Sequence, residues 1–185
     1  IVYGETRRMF VIHDDDTMQE WRAGPDVPLP ETAVMIRLEL PLPILNTFNM
    51  TEITLNGSTQ DQHGLVTWGC DRADIALWCT QNFDAIERAL WAPARDALKD
   101  HSFLVITKAD QLLMKGILQD RIAELEEVVA EEFHSLYSVA TIQAISACNT
   151  DGPPDPDVWS ASGGHALHDA VRRLVETGRR ADADN

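Results

Sequence analysis

Basic residues are scarce in this chain. Its 185 residues include 15 lysines and arginines against 30 aspartates and glutamates, which gives a formal net charge of −15. Such a negative field repels phosphate backbones and anionic lipid, and it therefore disfavours nucleic acid as a partner. It does not exclude a nucleotide, because a nucleotide binds through backbone N–H groups and one or two local cations.

Cysteine and long apolar runs are scarce as well. Cys70, Cys79 and Cys148 are odd in number and lack CxxC spacing, so we expect buried, reduced thiols in a cytosolic protein. No apolar run approaches the roughly 18 residues of a membrane-spanning helix, and no signal peptide is visible. The length fits one domain with a substantial core.

Common catalytic and metal-binding signatures are also absent. No serine lies in a GxSxG context, and no carboxylate pair lies in an apolar context that would raise its pKa. His165 and His168 supply only two candidate ligands, fewer than a metal site needs. The run His13-Asp14-Asp15-Asp16 lacks calcium-loop spacing. We therefore predict no catalytic and no metal-ligating residue.

Apolar patterns predict strands that alternate with helices. The expected strands cover residues 1–3, 8–12, 34–40, 50–55, 75–80, 103–107 and 139–145. The expected helices cover 17–23, 84–99 with a kink or a split at Pro93, 118–134 and 162–177, while 58–69 and 150–157 are expected to be loops. This alternation predicts one α/β domain over 1–177, with a mainly parallel sheet and helices on both faces. Residues 178–185 are expected to form a disordered tail.

The most informative stretch is Thr107-Lys108-Ala109-Asp110, which follows the apolar run 103–106. It places a lysine and an aspartate at the carboxyl end of a buried strand, where open α/β sheets bind ligands. The carboxylate can accept two N–H bonds from a guanine edge, and the lysine stem can lie along the purine face. The four residues match the [N/T]KxD guanine-recognition motif of GTPases. The alternative interpretation is a helix-start aspartate and a surface lysine.

Other segments occur in an order and spacing that belong with this motif. They are Tyr3-Gly4-Glu5, Leu40-Pro41-Leu42-Pro43-Ile44-Leu45, Asp74-Ile75-Ala76-Leu77-Trp78-Cys79-Thr80-Gln81, Ser146-Ala147-Cys148 and Trp159 with Ser162-Gly163-Gly164. Together they resemble the GTPase domain of a bacterial dynamin-like protein over most of the chain. The resemblance implies a P-loop GTPase-like three-layer sandwich that binds GTP or GDP. It also implies self-association or a protein partner, and a cytoplasmic location that is at most peripheral to a membrane.

The resemblance further implies a nucleotide-binding role for particular residues. Asp110 would select guanine, and Lys108 would support the base beside Thr107. In the pair Ser146-Ala147, Ala147 would bond the guanine oxygen. Gly57 would sense the γ-phosphate.

Two departures from the family's pattern bear on activity. No GxxxxGK[ST] loop occurs in these residues, and in the family that loop precedes the Tyr-Gly strand with which this chain begins. The DxxG position reads Thr54-Leu55-Asn56-Gly57, and Thr54 cannot place a carboxylate near Mg²⁺. Phosphoryl transfer depends on positioning and charge stabilisation. We therefore predict guanine-nucleotide binding with weak or no hydrolysis, and Mg²⁺ only where the phosphate loop is present. The alternative is a pseudo-GTPase, a non-catalytic protein-interaction module.

Overall fold

The computed structural model describes residues 1–23, 26–149 and 152–183. Their backbone divides into two compact units, Ile1–Glu52 and Ile53–Asn185. The sequence predicts one domain over 1–177; the contacts group it into these two units, each with its own sheet.

The first unit is built around a mixed four-stranded sheet. Its strands are β1 (Val2–Tyr3), β2 (Arg8–His13), β3 (Met18–Glu20) and β4 (Ala33–Leu40), followed by a 3₁₀ turn at Pro43–Asn46. The strand order is β1-β4-β2-β3; β2 runs antiparallel to both of its neighbours, and β1 runs parallel to β4. The predicted strands 1–3, 8–12 and 34–40 all occur, but this sheet is not mainly parallel.

Two predictions for this part of the chain are wrong. Residues 17–23 are not a helix, because Asp15 accepts bonds from the Thr17 N–H at 3.0 Å and hydroxyl at 2.6 Å. That turn sends residues 18–20 back along β2 as β3. Residues 50–55 form no strand, since no described strand pairs with them.

The second unit alternates helices with a parallel sheet. Its elements are α1 (Thr59–Cys70), β5 (Ala76–Thr80), α2 (Ala85–Trp91), α3 (Asp96–Lys99), β6 (Ser102–Thr107), α4 (Ala109–Met114), α5 (Leu118–Glu132), β7 (Ser135–Val139), α6 (Thr141–Cys148), α7 (Pro156–Ala161) and α8 (Gly164–Ala183). The three strands are all parallel in the order β5-β6-β7. The predicted α/β class is therefore confirmed.

The central strand β6 is buried on both faces. Leu104 and Ile106 pack in one cluster with residues of α2, α3, α4 and α5. Phe103 and Val105 pack in a second cluster with Ala144 of α6 and Ala170 of α8. Side chains alternate between the two faces of a strand, so these clusters lie on opposite faces of the sheet. The predicted covering of a parallel sheet by helices on both faces is confirmed for this unit.

Helix α1 replaces the loop predicted over 58–69. The Ser58 hydroxyl accepts a bond from the Asp61 N–H at 3.3 Å, and the Asp61 carboxylate accepts one from the Ser58 N–H at 3.0 Å. This reciprocal capping box starts the helix. The helix lacks an apolar stripe, since Val66 is its one buried residue, and the polar composition therefore suggested a loop.

The strand predicted over 139–145 is also wrong. The strand lies earlier, at Ser135–Val139, and residues from Thr141 onward form α6. Ala144 and Ala147 are buried while Ile142 and Ile145 are exposed. Each pair is spaced by three residues, which is the period of a helix rather than of a strand.

The remaining expectations concern helix ends, thiols and membrane spans. The helix expected over 84–99 is divided at Pro93 into α2 and α3, as predicted. Helix α8 continues beyond residue 178 to Ala183, and residues 184 and 185 of the expected tail lie outside the described residues.

The cysteines are less buried than expected, because Cys70 is partly exposed and the other two are exposed. Within the described residues, no helix is both long and apolar enough to cross a bilayer.

Candidate functional site

A cleft of about 350 Å³ lies where β6 and β7 end. After β6 it is lined by Thr107, Lys108, Asp110 and Gln111, and after β7 by Thr141 and Ile142. The two strand ends are level because Thr107 pairs with Val139 in the parallel register. The volume lies within the range of ordinary small-molecule sites, and the carboxyl ends of parallel strands are where open α/β sheets bind ligands.

The β6 side of the cleft is a tight strand-to-helix turn. Lys108 has φ 53° and ψ 38°, a left-handed conformation that costs a non-glycine residue about 1–2 kcal/mol. Ala109 is buried directly after it, and Asp110 lies in the first turn of α4. The Thr107 hydroxyl donates to the Thr80 carbonyl at 3.1 Å, which ties the turn to β5.

Both charges on this side are open to a ligand. The Lys108 side chain is exposed and Asp110 is partly exposed. Among the described residues, neither the Lys108 ammonium nor the Asp110 carboxylate has a hydrogen-bond or ion-pair partner. A turn that presents a cation and an anion to one cleft, both unpaired among the described residues, can bind a ligand with polar edges and a flat face.

The β7 side of the cleft begins a helix. Ala140 is the N-cap residue of α6 and provides no side-chain cap. The first N–H groups of a helix have no intrahelical partner and carry partial positive charge. Those of α6 belong to Thr141 and the residues after it, so the wall offers donors beside the apolar Ile142, which is 74 % exposed.

Three predicted site residues meet in this cleft and three do not. Thr107, Lys108 and Asp110 line it together. Ser146 and Ala147 lie further along α6; Ala147 is 2 % exposed, and its carbonyl accepts from the Asp155 N–H at 3.0 Å. Their expected place directly after a strand is thus wrong, because α6 occupies that stretch.

Gly57 also lies outside the lining of the cleft, in the part of the chain that the structure describes. It has φ +87° and is exposed in the turn that leads into α1. Its carbonyl accepts from Gln62 Nε2 at 3.3 Å. This conformation fits a turn glycine. Thr54, at the DxxG position, is exposed.

Sequence reasoning missed Gln111, Thr141 and Ile142. Gln111 directly follows the recognised motif and could have been included on that ground. Thr141 could be found only by placing β7 correctly, at Ser135–Val139. Thr141 then follows the strand that neighbours β6.

The described residues contain no group of three or more His, Cys, Asp or Glu side chains able to hold a metal ion. His165 and His168 both lie near Asp169 on α8, with N–O distances of 3.4 and 3.5 Å. They form surface contacts along one helix. No protein-family model, no curated protein and no solved structure matches this chain.

Proposed function

We propose that this chain binds a guanine nucleotide by its base, in the cleft at the ends of β6 and β7. The supporting observation is that Lys108 and Asp110 line one cleft, and that neither charge is paired with another residue that the structure describes. The Asp110 carboxylate accepts from the ring N–H and the exocyclic amine of guanine. Adenine offers no such pair of adjacent donors, so this contact selects guanine.

The other walls complete the recognition. The Lys108 stem lies along the face of the purine, and Thr107 keeps the turn tied to β5. The guanine oxygen faces the first N–H groups of α6 at Thr141 and Ile142, which line the cleft. These groups replace Ser146 and Ala147 in the proposal, because that pair does not line the cleft.

We assign the chain to a P-loop GTPase-like fold of the bacterial dynamin-like kind. Support comes from the order of its motifs and from the parallel sheet that delivers Lys108 and Asp110 to its carboxyl edge. Hydrolysis by this polypeptide is weak or absent, since Thr54 stands where a carboxylate would face Mg²⁺. Mg²⁺ binding depends on a phosphate loop outside these motifs.

Titration of the purified chain with GDP and ADP tests the proposal. We expect GDP to bind more tightly than ADP, and Asp110→Ala to weaken GDP by about 10- to 100-fold, since hydrogen bonds to a charged group contribute about 1.5–3 kcal/mol. Asp74→Ala is the matched control, because Asp74 is an exposed aspartate that does not line the cleft. Equal affinity for GDP and ADP, or equal effects of the two substitutions, would refute the base assignment.

A second candidate function is a non-catalytic interaction module. Its support is apolar exposure on the two helices that follow the cleft strands. Leu113 and Met114 of α4 are 63 % and 87 % exposed, and Ile145 of α6 is 55 % exposed. Exposed apolar patches often mark protein-interaction sites.

Sedimentation velocity separates the two candidates. An interaction module that self-associates sediments as a dimer or larger species, and the double substitution Leu113→Ser with Met114→Ser returns it to monomer without changing GDP affinity. A monomeric wild-type chain that binds GDP supports the nucleotide-binding function alone.

A further inference from the structure

We infer that the turn Ser162-Gly163-Gly164 between α7 and α8 is a clamp that fixes the Thr141 wall of the cleft. The inference rests on the proposed function. It makes Ser162 and Gly163 positioning residues, which act through β7 and the start of α6 rather than by touching the ligand.

The clamp holds the residue that directly precedes the cleft wall. Ala140 is the N-cap of α6 and supplies no side-chain cap of its own. Its N–H donates instead to the Ser162 carbonyl at 2.8 Å. The start of α6 is therefore fixed by a contact from another part of the chain.

Ser162 is itself immobilised. It is 2 % exposed, its hydroxyl donates to the Trp159 carbonyl at 2.8 Å, and the same hydroxyl accepts from the Gly164 N–H at 3.2 Å. Its own N–H donates to the Val158 carbonyl at 2.9 Å. A buried hydroxyl with both donor and acceptor roles filled favours a single conformation, so the carbonyl that holds Ala140 has a fixed position.

Glycine is required where the turn meets β7. Gly163 has φ +77°, and a Cβ built on it would lie 2.1 Å from the Ser138 carbonyl oxygen. Any side chain would force the end of β7 and the turn apart. At Gly164 a Cβ would lie 2.2 Å from the Trp159 ring, so the turn is tightly packed on both sides.

The opposite wall is held by further contacts. Thr107 and Lys108 continue from β6, which is buried on both faces, and the Thr107 hydroxyl is bonded to β5. Loosening the clamp therefore moves one wall relative to the other, and the spacing across the cleft changes.

Amide hydrogen exchange tests the clamp without any ligand. In Gly163→Ala, we expect the amide of Ala140, whose N–H is bonded to the Ser162 carbonyl, to exchange at least about tenfold faster, while the amides of Leu104 and Val105 in β6 keep their wild-type rates. Gly178→Ala is the matched control, since a Cβ at that helical glycine meets open space. An equal increase at Ala140 and in β6 would show general destabilisation and overturn the clamp.

Titration with GDP tests the positioning role, at a temperature where circular dichroism shows every variant folded. We expect Gly163→Ala to weaken GDP by about tenfold, or roughly 1.4 kcal/mol, with Gly178→Ala unchanged. A merely structural residue would lower the melting temperature and leave the dissociation constant of the folded protein as it was.

Ser162→Ala decides the matter if Gly163→Ala does not fold. It keeps the carbonyl that holds Ala140 but loses both hydroxyl bonds, so we expect a smaller change, about threefold, in both measurements. Wild-type values in both would overturn the inference. A wild-type chain that binds no GDP would refute the proposed function, and exchange of the Ala140 amide would still decide whether the clamp exists.

Discussion

The ends of β5 and β6 share one unusual backbone feature and differ in what surrounds it. Phe83, after β5, has φ 45°, and Lys108, after β6, has φ 53°. Phe83 is 1 % exposed and meets the rings of Trp78 and Phe133 edge-on at 6.0 and 5.3 Å. Lys108 is exposed and its ammonium has no described partner.

Polar groups show the same difference. At the end of β5, the Thr80 hydroxyl donates to Glu87 at 2.6 Å and accepts from the Asn82 and Phe83 N–H groups at 3.1 and 2.8 Å. At the end of β6, the Asp110 carboxylate accepts no bond from the described residues. Packing and hydrogen bonds offset the strain at β5. Strain at β6, where the charged side chains have no partner among the described residues, is typical of a functional site.

The largest expected effect is on stability, at the β5 end. Phe83→Ala should lower the free energy of unfolding by about 3–5 kcal/mol, because it leaves a cavity in the aromatic cluster. Urea denaturation measures the loss. Ile86→Ala is the control, since Ile86 is 62 % exposed on α2 and should lose less than about 1 kcal/mol. A loss below about 1 kcal/mol for Phe83→Ala would contradict the explanation that packing of the Phe83 ring offsets the strain of its backbone.

A smaller loss is expected for Thr80→Val. The substitution keeps the side-chain shape but leaves Glu87 and two backbone N–H groups without this partner. The Phe83 N–H bond is buried, and an unsatisfied buried group costs about 1–3 kcal/mol, which urea denaturation can resolve. Thr67→Val on α1 is an exposed control. If both threonine variants unfold at the same urea concentration, the hydrogen bonds at β5 do not offset the strain.

At the β6 end we expect a substitution to raise the free energy of unfolding rather than lower it. Lys108→Gly relieves the left-handed strain, so we expect it to raise the free energy of unfolding, by up to about 1 kcal/mol. The same change should weaken GDP, because the lysine stem no longer covers the base. Lys115→Gly is the control, since Lys115 has φ −81° and gains nothing from glycine. A Lys108→Gly variant that is less stable than wild type would show that surrounding contacts offset the strain at β6 as they do at β5.

The parts of the fold that the sequence predicts are those with a local apolar pattern. β6 is a continuous apolar run, and the sequence of β4 alternates apolar with polar residues in its second half. Helix α5 buries Leu118 and Leu125 on one face. Helix α1 has one buried residue, so its evidence is the capping box alone. The apolar sequence of helix α6 suggests a buried strand. The prediction fails because Ile142 and Ile145 lie in solvent.

The candidate site likewise has residues that a local sequence pattern predicts and residues that it does not. Lys108 and Asp110 could be recognised because a strand and its following turn lie within a few residues of one another. Thr141 could not, because its place beside Lys108 depends on the parallel pairing of Thr107 with Val139, which lies 32 positions later (139 − 107). The clamp at Gly163 depends on packing against Ser138, which no local pattern encodes.

A GDP titration followed by backbone amide chemical shifts tests the central claim most directly, because it reports where a ligand lies. We predict that the largest shift changes fall at residues 107–111 and 141–142, with little change at Gly57, Ser146 and Ala147. Shift changes centred on other residues, or none at saturating GDP, would contradict a guanine site at the ends of β6 and β7.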